Sequence, residues 1–571
     1  MKLPIPLIVI LSVLSVACSE GPELDDHSAT NAIHAEEHVV VSANWYASDI
    51  GREILRQGGN AMDAAVATKI ALTFSEPHET GLGGGGFLLY YDAESREQHF
   101  YDGRETAPLI ATPNWFRFPG GIPINHWLAM ITGRAVGTPG MIAMLHKAHE
   151  EHGRLPWATL FEQSIQLAEE GIPMPNRLRR QAAYDPSLML FPDLRRYISL
   201  PANSEQPKLR NPQLAESFRQ LANRGPAVFY EGDMGADYRA RAARRWPWPS
   251  ELSREDFVNY RAVKRDLVCG EYREWQICGA PPPSSGGIAL LQILGVLEHY
   301  DIEAMQPDST EFIHLLAESN RMAFADRQFH IGDPDFVRVN TQGLIDKDYL
   351  RQRYELLDPA KALVKANPGI PGVVAEFEGA PPVEEDEEAG TSHLAVVDSQ
   401  GNAASMTGSI EAPFGSRMMS GGMIMNNQMT DFDFRPQRAG LPVANKVEGG
   451  KRPRSSMAPT FVFDQEGELQ FILGSRGGSR IIGYVAKTLV GILDWELSLQ
   501  EAIDLPNILH RGERLEIERG TFLEQHQSAL TEMGHRVSLE GLESGLHGIE
   551  RTPQGWRGAA DGRMEGAALG D

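Results

Sequence analysis

Apolar positions along this chain change their spacing several times, and the changes divide it into helix-rich and strand-rich stretches. His38-Val39-Val40-Val41-Ser42-Ala43 reads as a first strand. Ala47 to Gln57 repeats its apolar residues at helical spacing and stops at Gly58-Gly59, a pair suited to a helix C-terminus. Asn60 then caps an alanine-rich helix predicted to run to about Phe74. Phe87 to Tyr91 reads as a strand and Asp92 to Arg96 as a turn. From about 140 to 330 the pattern is mostly helical, interrupted at Trp246-Pro247-Trp248-Pro249 and Pro281-Pro282-Pro283. Strands return from Thr391 onward.

The sharpest local prediction lies at that return. Glu384, Glu385, Asp386, Glu387 and Glu388 form a polar run with nothing to bury, and Gly390 closes it. Thr391 to Asp398 is an apolar strand pattern, Ser399-Gln400-Gly401 a three-residue hairpin loop, and Asn402 to Ser409 the return strand. Pairing Asp398 with Asn402 sets a register that puts Ser409 opposite Thr391, and facing residues lie about 4.5–5.5 Å apart. A slip of one residue would turn Ser409 to the wrong face. If the chain cut itself before Thr391, the new α-amine, with an ordinary pKa of about 7.7–8.0, would lie beside the threonine hydroxyl. One residue would then supply nucleophile and base.

A series of blocks along nearly the whole chain carries a family resemblance. They are Gly58 to Ala65, Gly81-Leu82-Gly83-Gly84-Gly85-Gly86-Phe87, Asp102-Gly103-Arg104-Glu105-Thr106-Ala107-Pro108 and Pro281-Pro282-Pro283-Ser284-Ser285-Gly286-Gly287. Ala325-Asp326-Arg327, Gly332 to Phe336, Thr391-Ser392-His393, Asn426 to Phe432, Arg454-Ser455-Ser456-Met457 and Gly477-Gly478-Ser479-Arg480 follow in order. The sequence resembles the γ-glutamyltranspeptidases, which are N-terminal-nucleophile hydrolases made as proenzymes. The resemblance implies an α+β fold, a four-layer αββα sandwich built from two intertwined subunits cut from one precursor. The large subunit would be 39–390 and the small, catalytic subunit 391–571, held together as a heterodimer.

The family's roles carry over residue by residue. Thr391 matches the nucleophile freed by cleavage of the Gly390–Thr391 bond, and Ser409 stands where a supporting threonine is usual. Arg104, Ser455 and Ser456 match the pocket for a substrate α-carboxylate, which suits a guanidinium fork and hydroxyls. Asp431, with Gln428 and Glu411, matches the α-ammonium side. Gly477 and Gly478 match the oxyanion hole. The implied substrates are glutathione or related γ-glutamyl compounds, with water or an amino acid or peptide as acceptor, and no metal or cofactor is implied. The chain departs from the family pattern at Glu411, where asparagine is common, and at Arg476, where proline is common. The stretch between Phe432 and Lys451 is shorter than the lid loop of some bacterial members and lacks its tyrosine. Two other readings stand beside this one: an acylase for another amide, such as a glutaryl β-lactam side chain, and a membrane-tethered binding protein without turnover.

Composition narrows the partners. The 571 residues carry 77 acidic against 53 basic groups, a net charge of −24, which argues against nucleic acid and anionic membrane surfaces. Residues 1–17 read as a bacterial signal peptide, with Cys18 as a candidate lipidated residue or, alternatively, a plain leader. A periplasmic protein, lipid-anchored to the outer membrane and touching the membrane only through that anchor, is the corresponding expectation. Residues 18–38 read as a mobile lead-in. Cys269 and Cys278 flank a hairpin-like stretch, open to a disulfide or to two free thiols. Gly81, Gly83 and Gly86 fit a dinucleotide fingerprint but lie between a helix and a following strand, the reverse of what that motif requires. His34 to His38 fits a metalloprotease spacing in a polar segment, and His146, His149 and His152 read as an exposed helix face.

Overall fold

The computed structural model describes residues 32–376, 390–438 and 440–571. The leader at 1–17, Cys18 and the acidic run at 384–388 lie outside the described residues. Two sheets of seven strands form the frame. In chain order the strands are β1 (Ile33–Ala35), β2 (Val39–Ser42), β3 (Gly85–Asp92), β4 (Glu97–Asp102), β5 (Val263–Arg265), β6 (Val268–Tyr272) and β7 (Trp275–Gly279). They continue with β8 (Gly390–Val397), β9 (Ala403–Glu411), β10 (Thr460–Phe463), β11 (Leu469–Gly474), β12 (His547–Thr552), β13 (Gly555–Ala560) and β14 (Ala567–Gly570).

The first sheet has the order β14-β2-β8-β9-β3-β4-β5 and the second β1-β13-β12-β11-β10-β7-β6. Both sheets therefore combine strands from before and after residue 390. Successive residues of β8 point to opposite faces, as strand geometry requires. Ala395 and Val397 join Val39, Val41, Phe87 and Leu89 in a core shared with Phe461, Ile472 and Ile549 of the second sheet. Leu394 and Val396 join Val40 and Leu88 on the other face, under the helices α1 (Trp45–Arg56) and α2 (Ala61–Ser75). Burial on both faces explains why β8 is wholly buried and reads as an unbroken apolar run.

The helices α3 (Gly286–Leu297), α4 (Thr310–His330) and α5 (Ile481–Leu493) cover the outer face of the second sheet, completing four αββα layers. α2 starts at a reciprocal capping box between Asn60 and Asp63, close to the boundaries its sequence predicts. No helix among the described residues is long and apolar enough to cross a membrane.

The structure alters three expectations. The lead-in is not wholly without structure, because Ile33–Ala35 pairs with β13 and His38 is buried against Asp571. Cys269 faces Cys278 across β6 and β7, and the two sulfurs are bonded, which removes the free-thiol alternative. The helix face at His146, His149 and His152 is not simply exposed. His149 lies 3.3 Å from buried Asp63, and His152 packs on Tyr90 and accepts or donates a hydrogen bond at Tyr101.

The glycine run Gly83 to Gly86 has a packing cause. A Cβ on Gly84 would fall 2.0 Å from the Ser409 carbonyl oxygen, and one on Gly86 2.5 Å from that of Thr407. Bare backbone here lets β3 press against β9. Gly84→Ala is expected to destabilise the protein by about 3 kcal/mol or more. Denaturant unfolding of the variant beside the parent measures this, and equal midpoints would contradict the packing account.

Candidate active site

The β8–β9 hairpin sets the centre of the site. Gly401 has φ +86° in the connecting loop, and pairs from Val397↔Ala403 to Ser392↔Gly408 follow the register that Asp398 and Asn402 impose. Gly390 then meets Glu411, so the register shifts at Thr391 and the ladder bulges there. The bulge keeps the two hydroxyls together, with Thr391 Oγ 3.3 Å from Ser409 Oγ. Both hydroxyls donate to the Gly390 carbonyl, that of Thr391 at 2.7 Å. Ser409 Oγ also accepts from the Glu411 amide at 2.7 Å, which fixes its rotamer. Glycine at 390 is required sterically, since a Cβ would lie 2.3 Å from the Glu411 carbonyl oxygen.

The amide nitrogen of Thr391 has a partner that its sequence neighbourhood does not announce. It donates to Glu79 Oε2 at 2.8 Å. Glu79 is buried in the short segment between α2 and the glycine run, held there because Ile410 N donates to its carbonyl and Phe414 N to that of His78. Arg476 Nε reaches Glu79 Oε2 at 3.1 Å, and Arg177 Nη1 reaches Oε1 at 2.7 Å. Burial alone would push this carboxyl up, but Arg177 and Arg476 outweigh it and hold it down at about 2. Arg476, the departure from the proline usual in the family, thus has a structural role as counter-ion to the carboxylate that holds the Thr391 nitrogen. The signal that could have found it was the pairing of a buried acid at 79 with a cation beside the glycine pair.

Below Thr391, residues from distant segments line one cavity: Arg104, Arg327, Gly390, Ser409, Glu411, Gln428, Asp431, Arg454, Ser455, Ser456 and Gly478 are among them. The sequence-predicted residues are brought together there, with Gly477 as the exception. It lines a neighbouring cavity of about 470 Å³ with Trp127, Tyr184, Arg476 and Tyr484. Arg104 is fully buried, ion-paired with Asp431, and donates to the carbonyls of Pro453 and Arg454 at 3.2 and 2.9 Å. Gln428 Nε2 donates to Asp431 at 2.7 Å, while Gln428 Oε1 and Arg104 Nη1 are buried without a hydrogen-bond partner among the described residues. Arg104 Nη1 also lies 3.9 Å from Glu105 Oε2, so the guanidinium at the cavity wall has carboxylates on two sides.

Glu411 lines the same cavity, at φ +82°, with its carboxylate accepting from the Ala412 amide at 2.7 Å and from Asn427. Arg327 and Asn445 were not assigned roles by sequence reasoning. Arg327 Nη2 holds Ser456 Oγ at 2.7 Å, and its Nε holds Ser285 Oγ at 2.9 Å. Ser285 in turn braces the Ser455 carbonyl, which explains the proline–serine block at 281–285. Asn445 ties the Asp431 carbonyl to the Arg454 amide. Gly477 and Gly478 have φ +127° and +57° and lead through one 3₁₀ turn into α5. Neither amide donates to another group among the described residues. A Cβ on Gly477 would lie 2.7 Å from the Tyr484 ring.

A threonine hydroxyl at the head of a central strand, in an αββα sandwich and facing a polar pocket, defines an N-terminal-nucleophile hydrolase. The gamma-glutamyltranspeptidase family model matches residues 47–571, and the chain belongs to that family. The glutathione hydrolase proenzyme of Bacillus subtilis (strain 168) is 33% identical, over 94% of this chain and 92% of its own. The acylase ACY 1 proenzyme of Pseudomonas sp. (strain SE83) is 34% identical over 93% of each chain. The cephalosporin acylase from Bacillus halodurans shares the fold, with a TM-score of 0.82 over 99% of each chain at 23% identity.

Thr391→Ala removes the hydroxyl that contacts the Gly390 carbonyl. A single unprocessed chain and no turnover are expected, read by gel and by mass spectrometry. A fragment beginning at residue 391 from this variant would refute the role.

Proposed function

We propose that this chain is a precursor that cuts itself between Gly390 and Thr391 and then cleaves γ-glutamyl amides such as glutathione. In the first step Thr391 Oγ attacks the Gly390 carbonyl carbon, the C–N bond breaks as the hydroxyl proton passes to the Thr391 nitrogen, and water hydrolyses the resulting ester to a Gly390 carboxylate and the free hydroxyl. The freed α-amine is then the base. It takes the Thr391 hydroxyl proton as Oγ attacks the γ-carbonyl of the substrate, and it returns that proton to the leaving amine as the amide bond breaks. The Gly477 and Gly478 amides receive the developing oxyanion, an effect worth about 3–4 kcal/mol per donor. Water, or an amino acid or peptide entering beside Gly477, takes the γ-glutamyl group from its threonine ester.

The observation that carries the substrate reading is the Arg104–Asp431 pair in the cavity wall, with Gln428 bonded to the same carboxylate. A glutamyl α-carboxylate replaces Asp431 at the guanidinium and meets Arg104 Nη1, while the α-ammonium takes Asp431 and Gln428 Oε1. The acylase relative favours a second reading, a glutaryl side chain as substrate. That group has no ammonium and would leave Asp431 and Gln428 unanswered. Hydrolysis of γ-glutamyl and glutaryl anilides side by side separates the two. The γ-glutamyl compound is expected to have a kcat/KM at least about tenfold higher, corresponding to one charge-assisted contact. Preference for the glutaryl compound would overturn the assignment.

Glu79 tunes the base in this scheme. Its carboxylate favours the ammonium form of the neighbouring α-amine, whereas Arg177 and Arg476 oppose that form. Glu79→Gln removes the carboxylate bonded to this nitrogen, so the α-amine pKa falls and the acidic limb of the kcat/KM profile moves down by about 1 pH unit. Glu79→Asp keeps the charge and is expected to leave the limb near its original position. An unmoved limb in Glu79→Gln would show that the carboxylate does not act on the amine.

A further inference from the structure

Away from the catalytic pocket, four buried side chains converge between α4 and the strand Ile508–His510. One ring nitrogen each of His510 and His535 and a carboxylate oxygen of Glu318 lie within 4.8 Å of one another, and His535 Nδ1 is 3.6 Å from Glu318 Oε1. All three residues are buried, and so is the fourth, His314.

The hydrogen bonds fix which atoms carry protons. His314 Nε2 lies 2.9 Å from the Asp358 carbonyl oxygen, which can only accept, so Nε2 carries the hydrogen. His314 Nδ1 is then an acceptor and takes a hydrogen bond from His535 Nε2 at 2.7 Å. His535 Nδ1 is left as a bare lone pair facing the Glu318 carboxylate. It has no hydrogen-bond partner, and neither has His510 Nδ1. Glu318 Oε2 accepts from the Leu363 amide at 3.2 Å, which leaves Oε1 turned toward the imidazoles. Glu318 Oε1 also accepts from Arg321 Nη1 at 3.4 Å, but no donor among the described residues reaches His535 Nδ1 or His510 Nδ1. Such a cluster is costly to bury unless a cation sits among its members.

We propose that Glu318, His510 and His535 bind a zinc ion that ties the two halves of the protein together. Two imidazole nitrogens and one carboxylate oxygen suit zinc, with a fourth position for water. Three ligands are too few for calcium, and two of them are not oxygen. His314 and the Asp358 carbonyl orient His535 from behind, as the partners of metal-bound imidazoles do. Arg321 opposes the ion, because its Nη1 lies 3.4 Å from Glu318 Oε1. Its guanidinium is also engaged by the Gly512 and Leu363 carbonyls, at 3.0 and 2.6 Å. The ligand atoms must close by about 1 Å to reach zinc bonds of about 2.0–2.2 Å.

The placement gives the ion a task. Glu318 precedes the proposed cut and both histidine ligands follow it, so the ion bridges segments that are no longer one chain. The residue after His510, Arg511, donates to Ser479 Oγ at 2.7 Å and pairs with Glu516 at 2.6 Å. Ser479 adjoins Gly478. The ion therefore anchors the strand that braces the proposed oxyanion loop.

The test is zinc content of the full processed protein after equilibration with zinc and dialysis, with cobalt(II) in a parallel sample for its visible spectrum. About one equivalent of zinc and a tetrahedral cobalt spectrum are expected in the parent. His535→Ala and His510→Gln are expected to lose both, and His314→Ala to bind at least about tenfold more weakly. If a variant fails to fold, the parent alone still decides. Less than about a tenth of an equivalent there, under conditions that saturate a micromolar site, overturns the proposal and leaves a proton shared within the cluster. Zinc retained unchanged in both His510→Gln and His535→Ala overturns it as well, placing the ion on other histidines.

Discussion

The antiparallel pairing of β8 with β9, and the single residue at which that pairing fails, governs the rest of the site. Below Ser392 the ladder is regular and buried on both faces, so it cannot slide. At Thr391 it bulges, and the bulge turns the threonine hydroxyl toward Gly390 and Ser409 together. Close-packed glycines at 84 and 390 make this geometry possible, since neither position has room for a Cβ. The arrangement is local in sequence but enforced by the whole sandwich.

Electrostatics divides the site into two parts. On the nitrogen side of Thr391, one carboxylate is shared by two buried arginines and stays ionised at any working pH. In the cavity, Arg104 and Asp431 hold each other. In the proposed scheme the first pairing acts on the base and the second on recognition, and no hydrogen bond or ion pair among the described residues joins Glu79, Arg177 and Arg476 to Arg104 and Asp431. Chemistry and specificity can therefore vary separately within one scaffold, as the acylase and glutathione hydrolase relatives suggest.

The sequence made the central hairpin legible because side-chain alternation and a glycine loop leave little freedom in register. The disposition of Arg104, Asp431, Gln428 and the serine pair followed from their motif blocks, and the cavity gathers them as those blocks imply. What stayed hidden was what depends on long-range contact. Glu79 and Thr391 are 312 positions apart, and nothing in the spacing of either predicts the bond between them. Glu318, His510 and His535 come from three separate segments, so no local spacing pattern joins them. Arg476 was visible as a departure, but its meaning needed its partner. The bulge itself was also missed, because register arithmetic assumes an uninterrupted ladder.

The mixing of early and late strands in both sheets has a thermodynamic corollary. A nick before Thr391 leaves two polypeptides woven edge to edge, neither of which owns a complete sheet. They cannot drift apart as docked globules do; separation means stripping strands from both layers at once. Once heat has pulled them asunder, reassembly becomes a bimolecular problem for two incomplete chains. Maturation would thus exchange a reversible folding equilibrium for endurance set by the height of the unfolding barrier.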